Sequence, residues 1–443
     1  MNEKIFRLYD VRGKYPQEIT QEDVFDVALR MGRIFKKGTV VIGHDARLSS
    51  PILYKSLEHG LLSAGFKVIK IGVISTPMLN FFVKHYKSQG GIMVTASHNP
   101  KQYNGLKIIN QKMVDIGGKD LYRKIRNLKI IYKAGNKLSK NISSEYVYKL
   151  YRDYLSDFFD VRKQIKLVID CSNGSVGPII KKLNFPKNVI PIILNSNPNG
   201  NFPAHGPDPT ESGAINQAAK KIIESKSDCG VVFDGDGDRS VFLDNKGRVV
   251  RSEYIWRLIH SKYSSKRTTY SITEYFMMRL LVDQIDLDSK TNQTKVGHLF
   301  VKKSARQNNS DIAIESSHHY YFKEDNYSGC GMLTLIKFIN SLSLLPYHMS
   351  WFVDLLPQSS RIQEINKLFN KKKLPDLYSK LEKYFKKNLL VKNNIDGLSM
   401  MGGGWWFNIR PSNTEDIIRI NIEGAKNSVV RKIKNEILLL IRR

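Results

Sequence analysis

The 443-residue chain has only three cysteines, Cys171, Cys229 and Cys330, far apart and in no metal-ligand spacing. An odd, sparse count argues against a disulfide scaffold and suits a reducing compartment, so the cytoplasm is the expected location. No run of about 18 apolar residues occurs, which argues against a membrane-spanning helix. The opening segment MNEKIFRLYDVRG lacks the apolar stretch and cleavage pattern of a signal peptide. Acidic residues are scarce beside basic ones, 41 Asp and Glu against 70 Lys and Arg, for a formal net charge of +29. Such an excess would suit nucleic acid or an anionic membrane surface. The lysines are dispersed among abundant Asn, Ile and Tyr, however, and no zinc-finger spacing, basic zipper or aromatic–basic RNA motif gathers them. Neither nucleic acid nor membrane is therefore expected as a partner. A positive field would also help collect small anionic substrates.

With 41% hydrophobic and 25% charged residues the chain reads as globular. Its length exceeds one hydrophobic core and suggests about three to four domains. Strand and helix signals alternate: GTVVIGHDARLSS is a strand into a loop, ILYKSLEHGLLSAGF an amphipathic helix, KVIKIGVI and GGIMVTASH strands. This alternation predicts βαβ units and a mostly parallel sheet. The pattern restarts after the helical SSEYVYKLYRDYLSDFF and again at RTTYSITEYF. The last part differs, with lysine-rich helices and then WWFNIRPSNTEDIIRINIEG. The expected fold is three related mixed α/β modules plus a C-terminal α+β module.

Four stretches carry chemistry. In FDGDGDRS, Asp234, Asp236 and Asp238 alternate with glycines. Carboxylates this close repel unless a cation joins them, and oxygen-only ligands point to a hard ion, magnesium or calcium. An EF-hand would need glycine at its sixth position and glutamate at its twelfth, where Arg239 and Asn245 stand. In RPSNTED, Arg410 can grip a phosphate bidentately, with Ser412, Asn413 and Thr414 adding donors. The alternative is a capping box from Ser412 to Glu415, but the following DIIRINIEG has strand periodicity. In IESSHHYYF, Glu315, Ser317 and His319 alternate, so in an extended loop they face one side. That side suits sugar hydroxyls or the wet face of an edge strand equally well. Finally, VTASHNPKQYNGLKII ends a strand in Ser97, with Lys107 soon after. Alone, Ser97 reads as a turn serine and His298 as a structural histidine. No G-x-S-x-G elbow supports acyl transfer. Together, a hydroxyl nucleophile, a metal loop and a phosphate clamp suggest phosphoryl transfer on a sugar phosphate.

In this order, IFRLYDVRG, TASHNPKQYNGLKI, NGNFPAHGPDPTESG, FDGDGDRS, KVGHLFVKK, ESSHHYYFKE and RPSNTE resemble the α-D-phosphohexomutase family. The resemblance is to its bacterial phosphomannomutase/phosphoglucomutase branch, nearly end to end. It implies four domains around a central cleft, here 1–144, 145–249, 250–355 and 356–443. It implies that Ser97 carries a phosphoryl group and that Asp234, Asp236 and Asp238 hold Mg2+, which also touches the Ser97 phosphate. Arg12, Arg239 and Tyr9 match active-site positions, and Lys107 and His298 match candidate acid/base groups. Glu315, Ser317 and His319 match sugar-binding positions, and Arg410, Ser412, Asn413 and Thr414 the phosphate clamp. The implied substrates are hexose 1- and 6-phosphates, with a hexose 1,6-bisphosphate as intermediate and activator. A monomer is expected, with oligomeric state left open. YDVRG disfavours the sister phosphoglucosamine mutases, which typically open with a Thr-Asp-Gly-type motif; a family member that binds sugar phosphates with little turnover is the other alternative. Three departures stand out. His318 replaces the glycine of the family's Glu-x-Ser-Gly-His, Glu274 or Tyr275 falls near a usual lysine, and Cys330 replaces an acidic residue before a helix.

Overall fold

The computed structural model describes residues 1–128, 138–264, 266–284, 290–412 and 416–442. It contains two compact units, one of residues 1–251 with 317–350, the other of residues 252–316 with 351–443.

The first unit opens with a sheet of β1 (Val11–Lys14), β2 (Thr39–His44), β3 (Lys67–Val73), β4 (Gly90–Val94), β5 (Tyr103–Asn110) and β6 (Ser139–Asn141). Their order is β1-β5-β4-β2-β3-β6. β2 runs parallel to β3 and β4, as the βαβ pattern predicts, but β5 runs antiparallel to β4 and to β1. The helix Ser50–Ser63 buries Leu53, Tyr54, Leu57 and Leu61, a helical-period stripe packed on Val40, Ile42, Ile92 and Val94 of the sheet. Because β4 is buried along its whole length, the loop that follows it starts from a fixed point.

A second sheet holds β7 (Ile165–Asp170), β8 (Val189–Leu194), β9 (Cys229–Phe233) and β10 (Ser240–Asp244), ordered β10-β9-β7-β8. β9 and β10 pair antiparallel with Ser240 opposite Phe233, so residues 234–239 form the connection at their end. Ala218 and Ile222 of the helix Asn216–Ser225 seal the sheet against Val168, Val232 and Leu243. The same unit includes the helix Gly331–Leu342, buried throughout. Cys330 is its N-cap: the sulfur accepts from the Leu333 N–H at 3.3 Å. The thiol thus does the capping an acidic side chain would do there, and burial pushes its pKa up to about 12, keeping it neutral.

In the second unit β11 (Arg267–Ser271) lies between β12 (Lys290–Thr294) and β13 (Ile312–Ile314), all parallel. The C-terminal sheet is antiparallel through Leu389–Asn393, Leu398–Gly402, Trp405–Pro411 and Ile417–Gly424. Ile418, Ile420 and Ile422 share its buried face, the period-two pattern of DIIRINIEG, and pack with Leu377, Leu381 and Ile437 from two covering helices. Among the described residues no helix is long and apolar enough to cross a membrane.

Candidate active site

Ser97 follows β4 with φ of 51°, in the left-handed region that a non-glycine residue occupies at a cost of about 1–2 kcal/mol. Arg47 shows what holds it there. This arginine is 1% exposed and donates to four carbonyls of the loop: Ser97 O at 2.6 Å, Asn99 O at 2.5 Å, Pro100 O at 2.7 Å and Tyr103 O at 2.9 Å. Its Nε is fixed by Asp45 at 3.0 Å. The Ser97 N–H donates to Thr95 Oγ1 at 2.8 Å. The loop is thus a rigid mount, and the Asn-Pro turn is one part of it. Sequence reading did not single out Arg47; the only hint was Asp-Ala-Arg directly after a strand.

Ser97 Oγ donates to Asp234 Oδ2 at 3.0 Å. Asp234, Asp236 and Asp238 offer ligand oxygens within 4.8 Å of one another. Gly235 lets this loop approach the serine, since a Cβ there would sit 2.9 Å from Ser97 O. Lys107, on β5, reaches in with Nζ 2.7 Å from Asp236 Oδ2 and 2.5 Å from Asp238 Oδ2. Burial works to lower the Lys107 pKa, but the aspartates outweigh it and hold the ammonium above the usual lysine range. Burial and the charges of Asp238 and Asp236 push Asp234 well above the ordinary carboxylate range. For Asp238 burial is overcome by Lys107, His319 and Arg239, and its pKa falls well below that range. Asp236 Oδ1 is sealed from solvent and accepts no hydrogen bond from any described residue. A cluster of hard oxygen donors, with one oxygen orphaned and one carboxyl pushed up by burial and by its neighbours' charge, fits a divalent cation such as Mg2+.

Cationic and ring side chains surround the serine. Arg239 donates through its N–H to Asp234 Oδ1 at 3.2 Å, and its guanidinium lies 3.4 Å from both His319 Nε2 and His98 Nε2. His98 Nδ1 is 3.4 Å from Ser97 Oγ. Burial, Arg239 and Arg12 hold His98 well below the usual histidine range, hence neutral. Arg12, on β1, donates to Asn99 Oδ1 at 2.5 Å and pairs with Asp10. Tyr9 is half-buried in the bend just before Asp10. His319 Nε2 faces Asp238 Oδ1 at 3.3 Å, and its Nδ1 is 2.9 Å from Ser317 Oγ. Thr76, which the sequence did not single out, ties its helix to the aspartate loop by Oγ1 to Asp236 Oδ2 at 2.5 Å.

The second unit brings together another set. Glu315 is 4% exposed and accepts from the Gly297 N–H at 3.1 Å; Gly297 is the N-cap of the helix that begins with His298. The neighbouring Val296 N–H donates to Asp396 at 3.2 Å, and Asp396 stands 4.0 Å from Arg410 Nε. Arg410, on the strand Trp405–Pro411, pairs with Glu364 at 3.0 Å. Ser412, directly after that strand, is 4% exposed and donates its N–H to Ile417 O. Asn413 and Thr414 lie outside the described residues. One expectation is corrected: residues 315–319 are not extended. The chain turns at Ser316 and Ser317 and His318 has φ of 62°, so alternation does not put Glu315, Ser317 and His319 on one side. His318 nevertheless keeps a backbone suited to glycine, and its carbonyl accepts from the Ser240 N–H at 3.2 Å.

Four family models match in order: phosphoglucomutase/phosphomannomutase alpha/beta/alpha domains I, II and III over residues 3–136, 144–247 and 253–357, and the C-terminal domain over 361–440. The chain is 30% identical to a phosphomannomutase of Escherichia coli strain K12 over 98% of both chains. It is 32% identical to a phosphomannomutase of Vibrio cholerae over 97% of this chain and 96% of the relative. A crystal structure of a phosphoglucomutase/phosphomannomutase family protein from Burkholderia thailandensis superposes with a TM-score of 0.88, at 24% identity and over 100% and 98% of the two chains, which supports the fold. With all four domains present in order, the chain belongs to the phosphoglucomutase/phosphomannomutase family and is an isomerase of the phosphohexomutase class.

Proposed function

We propose that this chain interconverts the 1- and 6-phosphates of glucose and mannose through a phosphoserine at Ser97 and a hexose 1,6-bisphosphate. We divide it into functional domains at 1–144, 145–249, 250–355 and 356–443. The observation that carries the reading is Ser97 Oγ 3.0 Å from Asp234 Oδ2, on a strained loop held by Arg47. A hydroxyl fixed against a tri-carboxylate cluster is arranged to carry a phosphoryl group. Three buried, free cysteines agree with a cytoplasmic setting.

In the forward half-reaction the Ser97 Oγ–P bond breaks, a bond forms from phosphorus to the sugar's free hydroxyl oxygen, and that hydroxyl loses its proton. In the return half the other phosphate of the bisphosphate passes to Ser97, releasing the isomer. Asp234, Asp236 and Asp238 would hold Mg2+, which when bound neutralises charge on the transferring group. Arg239, Arg12 and Lys107 supply fixed positive charge at the same end. Glu315 and Ser317 would read sugar hydroxyls, with His319 beside them. Arg410, Ser412, Asn413 and Thr414 would hold whichever phosphate is not reacting.

Lys107 and His298 are assigned the proton. One of the two gives a proton to the oxygen losing its phosphoryl group while the other takes the proton of the attacking hydroxyl. Lys107→Ala and His298→Ala should each lower kcat roughly a hundred- to ten-thousandfold. Near-normal maximal rates in both variants would remove the assignment.

Glucose and mannose 1-phosphates differ only at C2. If Glu315 and Ser317 read O3 and O4, which the epimers share, discrimination has no source there. Both substrates should turn over with kcat/KM within about tenfold, or about 1.4 kcal/mol. The His318 ring, on a backbone suited to glycine, is the one departure able to meet the C2 hydroxyl. A hundredfold preference that survives in His318→Gly would refute the shared-hydroxyl reading. A preference that vanishes would place discrimination in that ring.

A further inference from the structure

Glu274 lies at the end of a short 3-10 turn after β11 and is completely buried. A buried carboxylate is costly unless its oxygens are occupied, and these are. Oε2 accepts from Ser271 Oγ at 2.5 Å. Oε1 accepts from Thr273 Oγ1 at 2.7 Å and from the backbone N–H of Ser316 at 2.8 Å. The two hydroxyls are local to the turn. The Ser316 N–H comes from 42 residues further along the chain. Thr273 Oγ1 also approaches Ser316 Oγ at 3.4 Å. Ser316 directly follows Glu315, whose own carboxylate is tied to Gly297 at the start of the His298 helix.

We propose that Glu274 is a positioning residue for the sugar-reading loop, its carboxylate clamping the Ser316 N–H and thereby fixing the backbone that carries Glu315. This rests on the reading of Glu315 as a hydroxyl-binding group. Glu274 touches neither substrate nor reacting atoms in this role. It acts by deciding where Glu315 can point.

The charges facing Glu274 make the clamp sensitive to pH. Glu253, at the start of the helix Ser252–Tyr263, is also buried and repels it. Arg361, from the C-terminal sheet, lies 3.9 Å from Glu253 and donates to Thr273 O at 3.0 Å, drawing the Glu274 pKa down. Tyr270 stands on β11 beside it, with burial holding its phenol protonated. Burial first, then Glu253, pushes the Glu274 carboxyl up to about 7 against the opposing Arg361 and hydroxyl contacts. Above pH 7 the Ser316 N–H meets a carboxylate. Below it, the proton sits between Oε2 and Ser271, and the N–H meets only a neutral carbonyl oxygen. Hydrogen bonds to charged acceptors are about twice as strong, so the loop is held more firmly at the higher pH.

Glu274→Gln imitates the protonated form in shape and charge: the amide nitrogen donates toward Ser271 and the remaining oxygen accepts from Ser316. At pH 8 this variant should raise KM for glucose 1-phosphate about fivefold with kcat little changed, since hydroxyl reading is shared by ground and transition states. As pH falls from 8 to 6 the parent KM should drift toward the variant's, while the parent-to-variant ratio closes to about one. Taking the ratio cancels titration of the substrate phosphate. Amide exchange at Ser316 should quicken in the variant at pH 8, and this readout needs no turnover. A KM ratio that is flat with pH, together with unchanged Ser316 exchange, would overturn the proposal. Faster exchange in a chain that turns over no hexose phosphate would leave the clamp standing and overturn the mutase reading instead.

Discussion

Ser97→Ala should lose turnover of glucose 1-phosphate and mannose 1-phosphate by at least ~10⁴-fold, even with hexose 1,6-bisphosphate supplied. The oxygen that carries the phosphoryl group is then gone, and among the described residues no other hydroxyl bonds to Asp234. The fold should survive. The Arg47 bonds run to backbone carbonyls, which alanine retains, and the Ser97 N–H still finds Thr95. Steady-state rates alongside thermal melting separate the two effects. Substantial activity in a folded Ser97→Ala protein would end the phosphoserine mechanism.

Removal of divalent cations by chelation should likewise stop the reaction, and added Mg2+ should restore it. Asp236→Asn should lower kcat about a hundredfold or more, because several kcal/mol of charge stabilisation depends on the intact carboxylate set. The same substitution should weaken Mg2+ binding in calorimetry, a readout independent of turnover. The pH trend has a definite sign. Burial and its neighbours' charge push the Asp234 carboxyl above the ordinary carboxylate range, whereas a cation favours the ionised form. Mg2+ affinity should therefore fall as pH is lowered, with protons released on binding. Full activity after exhaustive chelation would reduce this loop to a β-hairpin turn between β9 and β10.

The parts of this site legible in the sequence are those in which local pattern and chemistry coincide. Aspartates and glycines alternating between two apolar runs mark a connection between two strands, and the structure pairs those strands and gathers the three carboxylates at their end. Ser97 at the end of a wholly apolar run was placed correctly at the end of β4. What stayed hidden depends on chain segments meeting. Arg47 is 50 residues from Ser97, and nothing local to Asp-Ala-Arg reveals that it holds four carbonyls. The antiparallel insertion of β5, which delivers Lys107 to the aspartates, cannot be read from hydrophobic periodicity, which is blind to strand direction. The alternation of Glu315, Ser317 and His319 misled because period two holds only in extended chain, and His318 is left-handed. Glu274 drew notice as a departure from a family lysine, yet its bond to Ser316 exists only once β11 and the 315–317 turn are brought together.

Intact mass of the purified protein, before and after phosphatase, reads the phosphoryl group on Ser97 without any assay of turnover. A species heavier by about 80 Da is expected, removable by phosphatase or by a hexose monophosphate, mapped to Ser97 and absent from Ser97→Ala. A protein that shows mutase turnover but never carries that mass, even after incubation with hexose 1,6-bisphosphate, would contradict Ser97 as the phosphoryl carrier.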